Sequence, residues 1–305
     1  MGQACLRQAG MPEYAAAMRL PFLSASVLPF IFGSLVSRRD FNIPAFLLGL
    51  ACVIFTHLGS NLINDYADSK SGVDWQDLKP YKFFGGSKFI QSGLIGERFY
   101  FRAAAICFIL ALCCCLALSV AINRPVTVLY YLAVMVLGWS YSHKPLKLSY
   151  RRLGEPAVFL LFGPSLVMGG YFIQTGIFPD AKSLLLSLPM GFLTAGILFA
   201  NEIPDFPDDK KCGKMNWVSF SGPEKAYVIY LVLMACAFGA IGINLAAGFL
   251  GKAAYFSFIF ILPAIKAAAV LRGHYREKEE LVISSKLTIL VHALVSLALT
   301  AGVFY

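Results

Sequence analysis

Two short acidic stretches hold most of the reactive chemistry in this sequence. The first is NDYADSKSGVD, Asn64 to Asp74, and the second is NEIPDFPDD, Asn201 to Asp209. Asn64 and Asp68 are four residues apart, which puts them on one face of a helix; His57, Asn61 and Asp65 extend that face back along the chain. Asn201, Asp205 and Asp209 repeat the four-residue step, although Pro204 and Pro207 are expected to bend or end the helix that carries them. Donor sets made only of Asn and Asp oxygens suit a hard cation such as Mg²⁺, which keeps several waters and joins a few carboxylates to substrate phosphates. Lys70, Lys82, Lys88, Lys210, Lys211 and Lys214 lie nearby in the sequence. Carboxylates, a divalent cation and fixed positive charge together suit a diphosphate. Asn64, Asp68, Asp74, Asn201, Asp205 and Asp209 are therefore the candidate metal- and diphosphate-binding residues, with Asp65 a subsidiary member and Asp208 expected to face solvent. Asn and Asp at helix ends often serve only as caps. The same N-xxx-D step occurring twice favours ligand binding over capping.

The elements that carry these stretches are apolar. The chain has 305 residues, of which 58% are hydrophobic and 14% charged, with a mean hydropathy of +0.69. Soluble domains carry about a quarter charged residues, and a chain of this size cannot bury so many all-round apolar helices in its own interior. The sequence therefore describes an all-α integral membrane protein in a lipid bilayer. Nine apolar stretches of about bilayer length are expected at 18–37, 43–64, 99–121, 125–142, 154–177, 183–203, 225–248, 252–272 and 284–304, the fourth being short. No low-complexity linker divides them, so residues 1–305 read as a single domain.

The formal charge of +9 is spread over the loops between apolar runs rather than gathered in a patch. This pattern argues against nucleic-acid binding and for topogenic signalling. About twenty Lys and Arg fall on the side that holds both acidic stretches, and about five on the other; the rich side is expected to be cytoplasmic. An unpaired Asp near the bilayer centre costs roughly 2.5–3.5 kcal/mol, and less at the interface. Clustered carboxylates at the end of a span thus call for a cationic partner. The eight cysteines show no paired spacing, and Cys113, Cys114 and Cys115 lie inside one apolar run, so neither a disulfide framework nor a zinc site is expected. Gly2 opens no myristoylation motif, since Leu6 stands where that motif has Ser or Thr.

At these motifs the sequence resembles the UbiA superfamily of intramembrane prenyltransferases, which have nine transmembrane helices and an aspartate motif after the second and the sixth. NDYADSKSGVD looks like the MenA branch pattern NDYxDxxxGxD. FGGSKFIQSGLI resembles the family's GGSR-type loop, with Lys88 in the Arg position. Tyr141 to Phe172 resembles the MenA segment after helix four, NEIPDFPDDKKCGKMNWV the second motif, and MRLPFLSASVLPFIFGSLV the first helix, with Arg19 at its mouth. The resemblance implies a helical bundle around a central cavity, a diphosphate clamped at the cytoplasmic mouth and a prenyl tail among apolar side chains. It also implies a Mg²⁺-dependent transfer from an isoprenyl diphosphate to an aromatic acceptor, 1,4-dihydroxy-2-naphthoate in the MenA branch, on the way to menaquinone.

On this reading Asp68, Asp205, Asn64 and Asn201 carry catalysis through the metal and the leaving group. Lys88, Lys144, Lys211 and Arg19 are candidate diphosphate or carboxylate contacts, against a purely topogenic role. Tyr141 is a candidate contact to the acceptor or the allylic cation, against an interfacial tyrosine. His57 is expected to hydrogen-bond between helices. Lys266 and His292 lie inside the last two spans, and neither is assigned a role. Two rivals remain: a terpene cyclase of the same superfamily, which needs no acceptor, and a secondary transporter of an anionic solute. Transporters keep their polar residues near the midplane, whereas these carboxylates gather at one face.

Overall fold

The computed structural model describes residues 10–37 and 41–304; Gly2, Cys5, Leu6, Arg7, Arg38 and Arg39 lie outside the described residues. Helices follow one another as α1 (Met11–Ala17), α2 (Ser24–Leu35), α3 (Ile43–Ser71), α4 (Glu97–Ala121), α5 (Val126–Ser142), α6 (Gly154–Phe162), α7 (Pro164–Thr175), α8 (Ala181–Lys211), α9 (Val218–Ser221), α10 (Ala226–Ala246), α11 (Ile261–Gly273) and α12 (Lys278–Gly302). No strand occurs among the described residues. Local sequence sets several boundaries. Asn42 caps α3, its side chain accepting from the Ala45 N–H at 2.9 Å, and Asp180 caps α8 through the Ser183 N–H at 2.6 Å. Gly72, at φ +86°, ends α3 in the left-handed conformation that glycine tolerates best.

Among the described residues, seven spans are long and apolar enough to cross a membrane: α3, α4, α6 with α7, α8, α10, the Lys252–Phe260 3₁₀ segment with α11, and α12. An eighth is made by α1 with the segment Leu20–Leu35, bent by 42°. The expected fourth span appears as α5, which at 17 residues is shorter than the rest. The nine expected stretches thus correspond to seven full spans, one broken span and one short apolar helix.

One expectation fails. Pro204 and Pro207 neither bend α8 sharply enough to divide it nor end it; the helix runs on to Lys211. Each proline removes one backbone donor, at about 3 kcal/mol in an ordinary helix interior. Packing offsets this cost, because 72% of the apolar window of α8 is buried inside the protein, against 22% for α3. Leu186, Met190, Leu193, Phe199 and Ile203 of α8 meet Leu233, Ile241, Leu271, Val291 and Val295 of α10, α11 and α12 in one core. His292 lies buried in this half of the molecule, and Lys266 is exposed. The other side of α8 faces a cavity walled by α2, α3, α5, α6 and α7.

Candidate active site

The cavity has a volume of about 410 Å³. Its deep end is apolar and aromatic, with Phe30, Leu118, Tyr130, Phe172 and Ile173 in its wall. Its mouth is charged. Asn64, Asp68, Asp74, Asn201, Asp205 and Asp209 all line it, with Arg19, Tyr141, Lys88 and Lys214. The two acidic stretches, more than 120 residues apart in the chain, therefore share one opening.

Different elements supply each side. In the first stretch α3 stays helical through Asp68, so the four-residue step brings Asn64 Nδ2 to 3.2 Å from Asp68 Oδ2. Asn64 Oδ1 accepts from the Ser142 hydroxyl at 3.0 Å, which fixes the amide with its oxygen toward α5. Asp74 comes from a 3₁₀ turn, Val73–Trp75, just after Gly72. Lys88 donates to its carboxylate at 2.8 Å and to its carbonyl at 3.0 Å. Both side chains are nearly sealed from solvent. Burial pushes the Asp74 carboxyl up to about 7, with the charge of Asp68 adding to the effect and Lys88 opposing it. The Gly85–Gly86 turn holds this arrangement together, both glycines lying at φ +72°. The Gly85 N–H donates to Asp205 Oδ2 at 3.1 Å, and a Cβ on Gly86 would lie 2.7 Å from Asp74 Oδ2. The loop thus touches a carboxylate from each stretch.

The second stretch needs one helix only. Asn201, Asp205 and Asp209 stand on successive turns of α8. Asp209 Oδ2 accepts from Asn216 Nδ2 at 3.2 Å, while Asp209 Oδ1 lies 3.3 Å from Lys214 Nζ without a hydrogen bond in line. Burial works against the charge on Lys214, but Asp209 and Asp68 outweigh it and hold the ammonium well above its ordinary range.

Several expected residues stand elsewhere. Asp65 points away from the cavity; it lies 3.4 Å from an Arg19 nitrogen and accepts from the Ser87 N–H at 3.2 Å, so it orients Arg19 and the glycine loop instead. Lys144 is exposed and does not line the cavity. Lys211 is also off the wall, its half-exposed side chain paired with Asp208. Asp208 does not simply face solvent, because it lines the mouth and accepts from Lys278 at 2.8 Å. Lys278 also donates to Asp77 at 2.7 Å; burial pushes the Asp77 carboxyl up, but this bond, the Lys79 N–H and the charges of Lys278 and Lys88 together outweigh it and keep the carboxyl below its usual range. His57 bonds Ser26 of α2 through Nδ1, the interhelical role expected of it.

Sequence reasoning named Lys214 only as one of several nearby lysines and passed over Lys278, Glu155 and Glu202. Lys278 was indistinguishable from topogenic charge. Glu202 carried a signal, being an acid beside Asn201 in an apolar helix.

The donor set fits Mg²⁺. It is all oxygen, and two of its buried oxygens, Asn201 Oδ1 and Asp209 Oδ1, have no hydrogen-bond partner among the described residues. No three His, Cys, Asp or Glu side chains among those residues converge closely enough to hold a bare ion. Mg²⁺ typically keeps several waters and takes phosphate oxygens as ligands, so it does not require three protein carboxylates around a bare ion.

Comparison with known proteins settles the family. The model of the UbiA prenyltransferase family matches residues 26–298. The chain belongs to the UbiA prenyltransferase family. It is 25% identical over 257 residues to the 1,4-dihydroxy-2-naphthoate octaprenyltransferase of Bacillus subtilis (strain 168), covering 82% of this chain and 78% of the relative. It is 27% identical over 230 residues to the mouse UbiA prenyltransferase domain-containing protein 1, covering 73% of this chain but 65% of that protein's length. The fold matches a UbiA homologue from Archaeoglobus fulgidus bound to GPP and Mg²⁺, with a TM-score of 0.62 and 19% identity over 96% of this chain and 98% of the other. A UbiA homologue from Aeropyrum pernix K1 matches with a TM-score of 0.64 and 20% identity over 90% and 98%. UbiA membership and the apolar spans make this an integral membrane protein.

Proposed function

We propose that this UbiA-family protein transfers a prenyl group from an isoprenyl diphosphate to an aromatic acceptor, in a Mg²⁺-dependent reaction at the cytoplasmic face of the membrane. The observation that carries this reading is the shared mouth. Two sets of Asn and Asp oxygens face one another there beside Lys88 and Lys214, above an apolar chamber. The charged end suits a diphosphate and the chamber suits its hydrocarbon tail. Mg²⁺ bound at the Asn and Asp oxygens would neutralise charge on the diphosphate.

The chain's own residues do the rest. Asn64, Asp68, Asn201, Asp205 and Asp209 orient the diphosphate, and Asp74 joins them through the loop that Lys88 pins. Lys214 and Arg19 place fixed positive charge where the leaving group gains negative charge as the allylic C–O bond breaks. The apolar walls keep water from the allylic cation. An electron-rich acceptor carbon then forms the new C–C bond, and loss of a proton or of CO₂ restores the ring. Tyr141, which lines the cavity, is the side chain proposed to contact the acceptor or the allylic cation as that bond forms.

The acceptor proposed is 1,4-dihydroxy-2-naphthoate, which makes this a step of menaquinone biosynthesis. The MenA-like first motif and the Bacillus subtilis relative support that choice. The test is incubation of detergent-purified protein with Mg²⁺, prenyl diphosphates of several lengths and a panel of aromatic acceptors, read by mass spectrometry. Prenylated naphthoquinol, formed only with Mg²⁺, is the expected product. Terpene formation without an acceptor, or no consumption of any diphosphate, refutes the proposal.

A further inference from the structure

One wall of the mouth carries a feature that diphosphate and metal binding leave unused. Glu202 stands one residue past Asn201 on α8, turned from the metal-binding face toward α6. It lines the cavity and is 4% exposed. Neither of its oxygens accepts from an N–H or a hydroxyl among the described residues. It faces Glu155, the second residue of α6, which is 1% exposed. Glu155 is held from behind, its Oε1 accepting from the Trp217 N–H at 2.7 Å. Its Oε2 likewise has no such donor. Lys214, the nearest ammonium to Glu202, is engaged by Asp209.

The two carboxyls lie within hydrogen-bonding reach of each other, so a proton shared between them satisfies one oxygen of each. The other Glu202 oxygen, buried on the cavity wall, is left to take a hydrogen-bond donor from whatever fills the cavity. A diphosphate offers none, and its charge is repelled from this wall. A prenyl tail has no polar atom. Waters kept by Mg²⁺ would lie with the diphosphate, on the face from which Glu202 is turned, which leaves the second substrate. The adjoining surface fits a flat apolar ring, since Val158, Leu161 and Phe162 of α6 line the cavity on the same side as Tyr141.

The geometry points to Glu202 as the residue that selects the acceptor, by accepting a hydrogen bond from a ring hydroxyl, with Glu155 as its positioning residue. This inference rests on the prenyl-transfer reading above. A buried acceptor built for a substrate hydroxyl discriminates strongly against analogues that lack it, because the protein group is then left unpaired. A hydroxylated ring is favoured over an unhydroxylated ring of the same size, and the hydroxyl concerned is the one turned toward α6 and α8.

The test compares wild type with Glu202→Gln, Glu202→Leu and Glu155→Gln, using geranyl diphosphate with Mg²⁺ as donor and 1,4-dihydroxy-2-naphthoate as acceptor. Each naphthoate lacking one of the two hydroxyls is measured as a competitive inhibitor. For wild type, removal of one particular hydroxyl should weaken binding by at least about tenfold. In Glu202→Leu that penalty should disappear. Its KM for the acceptor should rise at least about tenfold, with the KM for geranyl diphosphate within about twofold. Glu202→Gln, which keeps one carbonyl oxygen at nearly the same size, should restore part of the discrimination. Glu155→Gln should act in the same direction as Glu202→Leu but less strongly. If Glu202→Leu does not fold, loss of part of the hydroxyl penalty in Glu202→Gln decides the matter. Parallel rises in both KM values, or an unchanged hydroxyl penalty in the variants, would overturn the inference and make the pair structural while leaving prenyl transfer intact. A wild-type protein that prenylates no acceptor removes the functional reading and this inference together.

Discussion

The two acidic stretches look alike in sequence and are built differently. The second puts all three of its donors on one helix, at 201, 205 and 209, and that helix is the most enclosed span in the molecule. The first puts two donors on α3, the least enclosed of the full spans, and brings the third from beyond the helix end. Asp74 is six residues past Asp68 rather than four, because Gly72 stops α3 and the 3₁₀ turn folds Asp74 back. Each design therefore depends on a different support. The second stretch rests on core packing, whereas the first rests on a loop, Gly85 to Lys88, that holds Asp74 from outside. Ligand-bearing loops positioned on a rigid scaffold are the places where a site can adapt; here a rigid half faces an adjustable one.

Removing charge from both halves should erase the difference and give the largest effect. Asp68→Asn and Asp205→Asn each keep size and one oxygen but lose the negative charge that the proposed function needs to hold a cation against a diphosphate. Each should lower turnover by ~10²–10³, the loss of about 3–4 kcal/mol of transition-state stabilisation. Detergent thermal stability should be nearly unchanged, because neutralising one member of an acidic cluster relieves repulsion. Near wild-type turnover across a Mg²⁺ titration would mean that these carboxylates do not hold the cation.

A methyl group probes the loop more selectively. Gly86→Ala forces both a left-handed alanine, at about 1–2 kcal/mol, and a collision with Asp74. Gly213→Ala, just beyond the second stretch, meets the same backbone penalty at φ +71° with open space around it. Mg²⁺-dependent turnover should fall about tenfold or more for Gly86→Ala and by less than about threefold for Gly213→Ala. Equal losses would show that backbone strain, not the seat of Asp74, governs the first half.

Proton competition gives a smaller contrast. Asp74 titrates near 7 in the metal-free site, so it is protonated on the acid side and ionised on the alkaline side. A cation must displace that proton. Apparent Mg²⁺ affinity, measured by calorimetry with a prenyl diphosphate present, should therefore rise by up to about tenfold per pH unit below 7 and level off above about 8. The slope should flatten in Asp74→Asn. A pH-independent affinity in wild type would place Asp74 outside the metal site. The smallest effect belongs to Lys211→Ala. Its exposed pairing with Asp208 is worth about 0–1 kcal/mol, and turnover should stay within about twofold of wild type.

The amphipathic economy of the sequence made the architecture legible. Apolar runs of bilayer length gave the spans, and only α5 and the bent first span depart from full length. The N-xxx-D steps were legible because a helical face is a fixed spacing. Asp74 was legible only as the last member of the acidic stretch and not by helical spacing, since its position depends on how Gly72 and the Gly85–Gly86 turn redirect the backbone. Pro204 and Pro207 misled because local propensity reports a cost and not the packing that offsets it. Asp65 misled because its neighbour Asn64 takes the cavity side of α3. Lys144 and Lys211 were chosen by proximity along the chain. Lys214 and Lys278, no less basic in sequence, reach the mouth because tertiary packing aims them there.

Lys278 adds a consequence for biogenesis. It opens α12, yet its ammonium joins Asp77 from the first half to Asp208 from the second. During synthesis α12 emerges after every element that carries an acidic stretch, so these two carboxylates wait for their common counter-charge until the rest of the mouth is in the membrane. A nascent chain arrested before α12 holds both acidic stretches without the clasp between them.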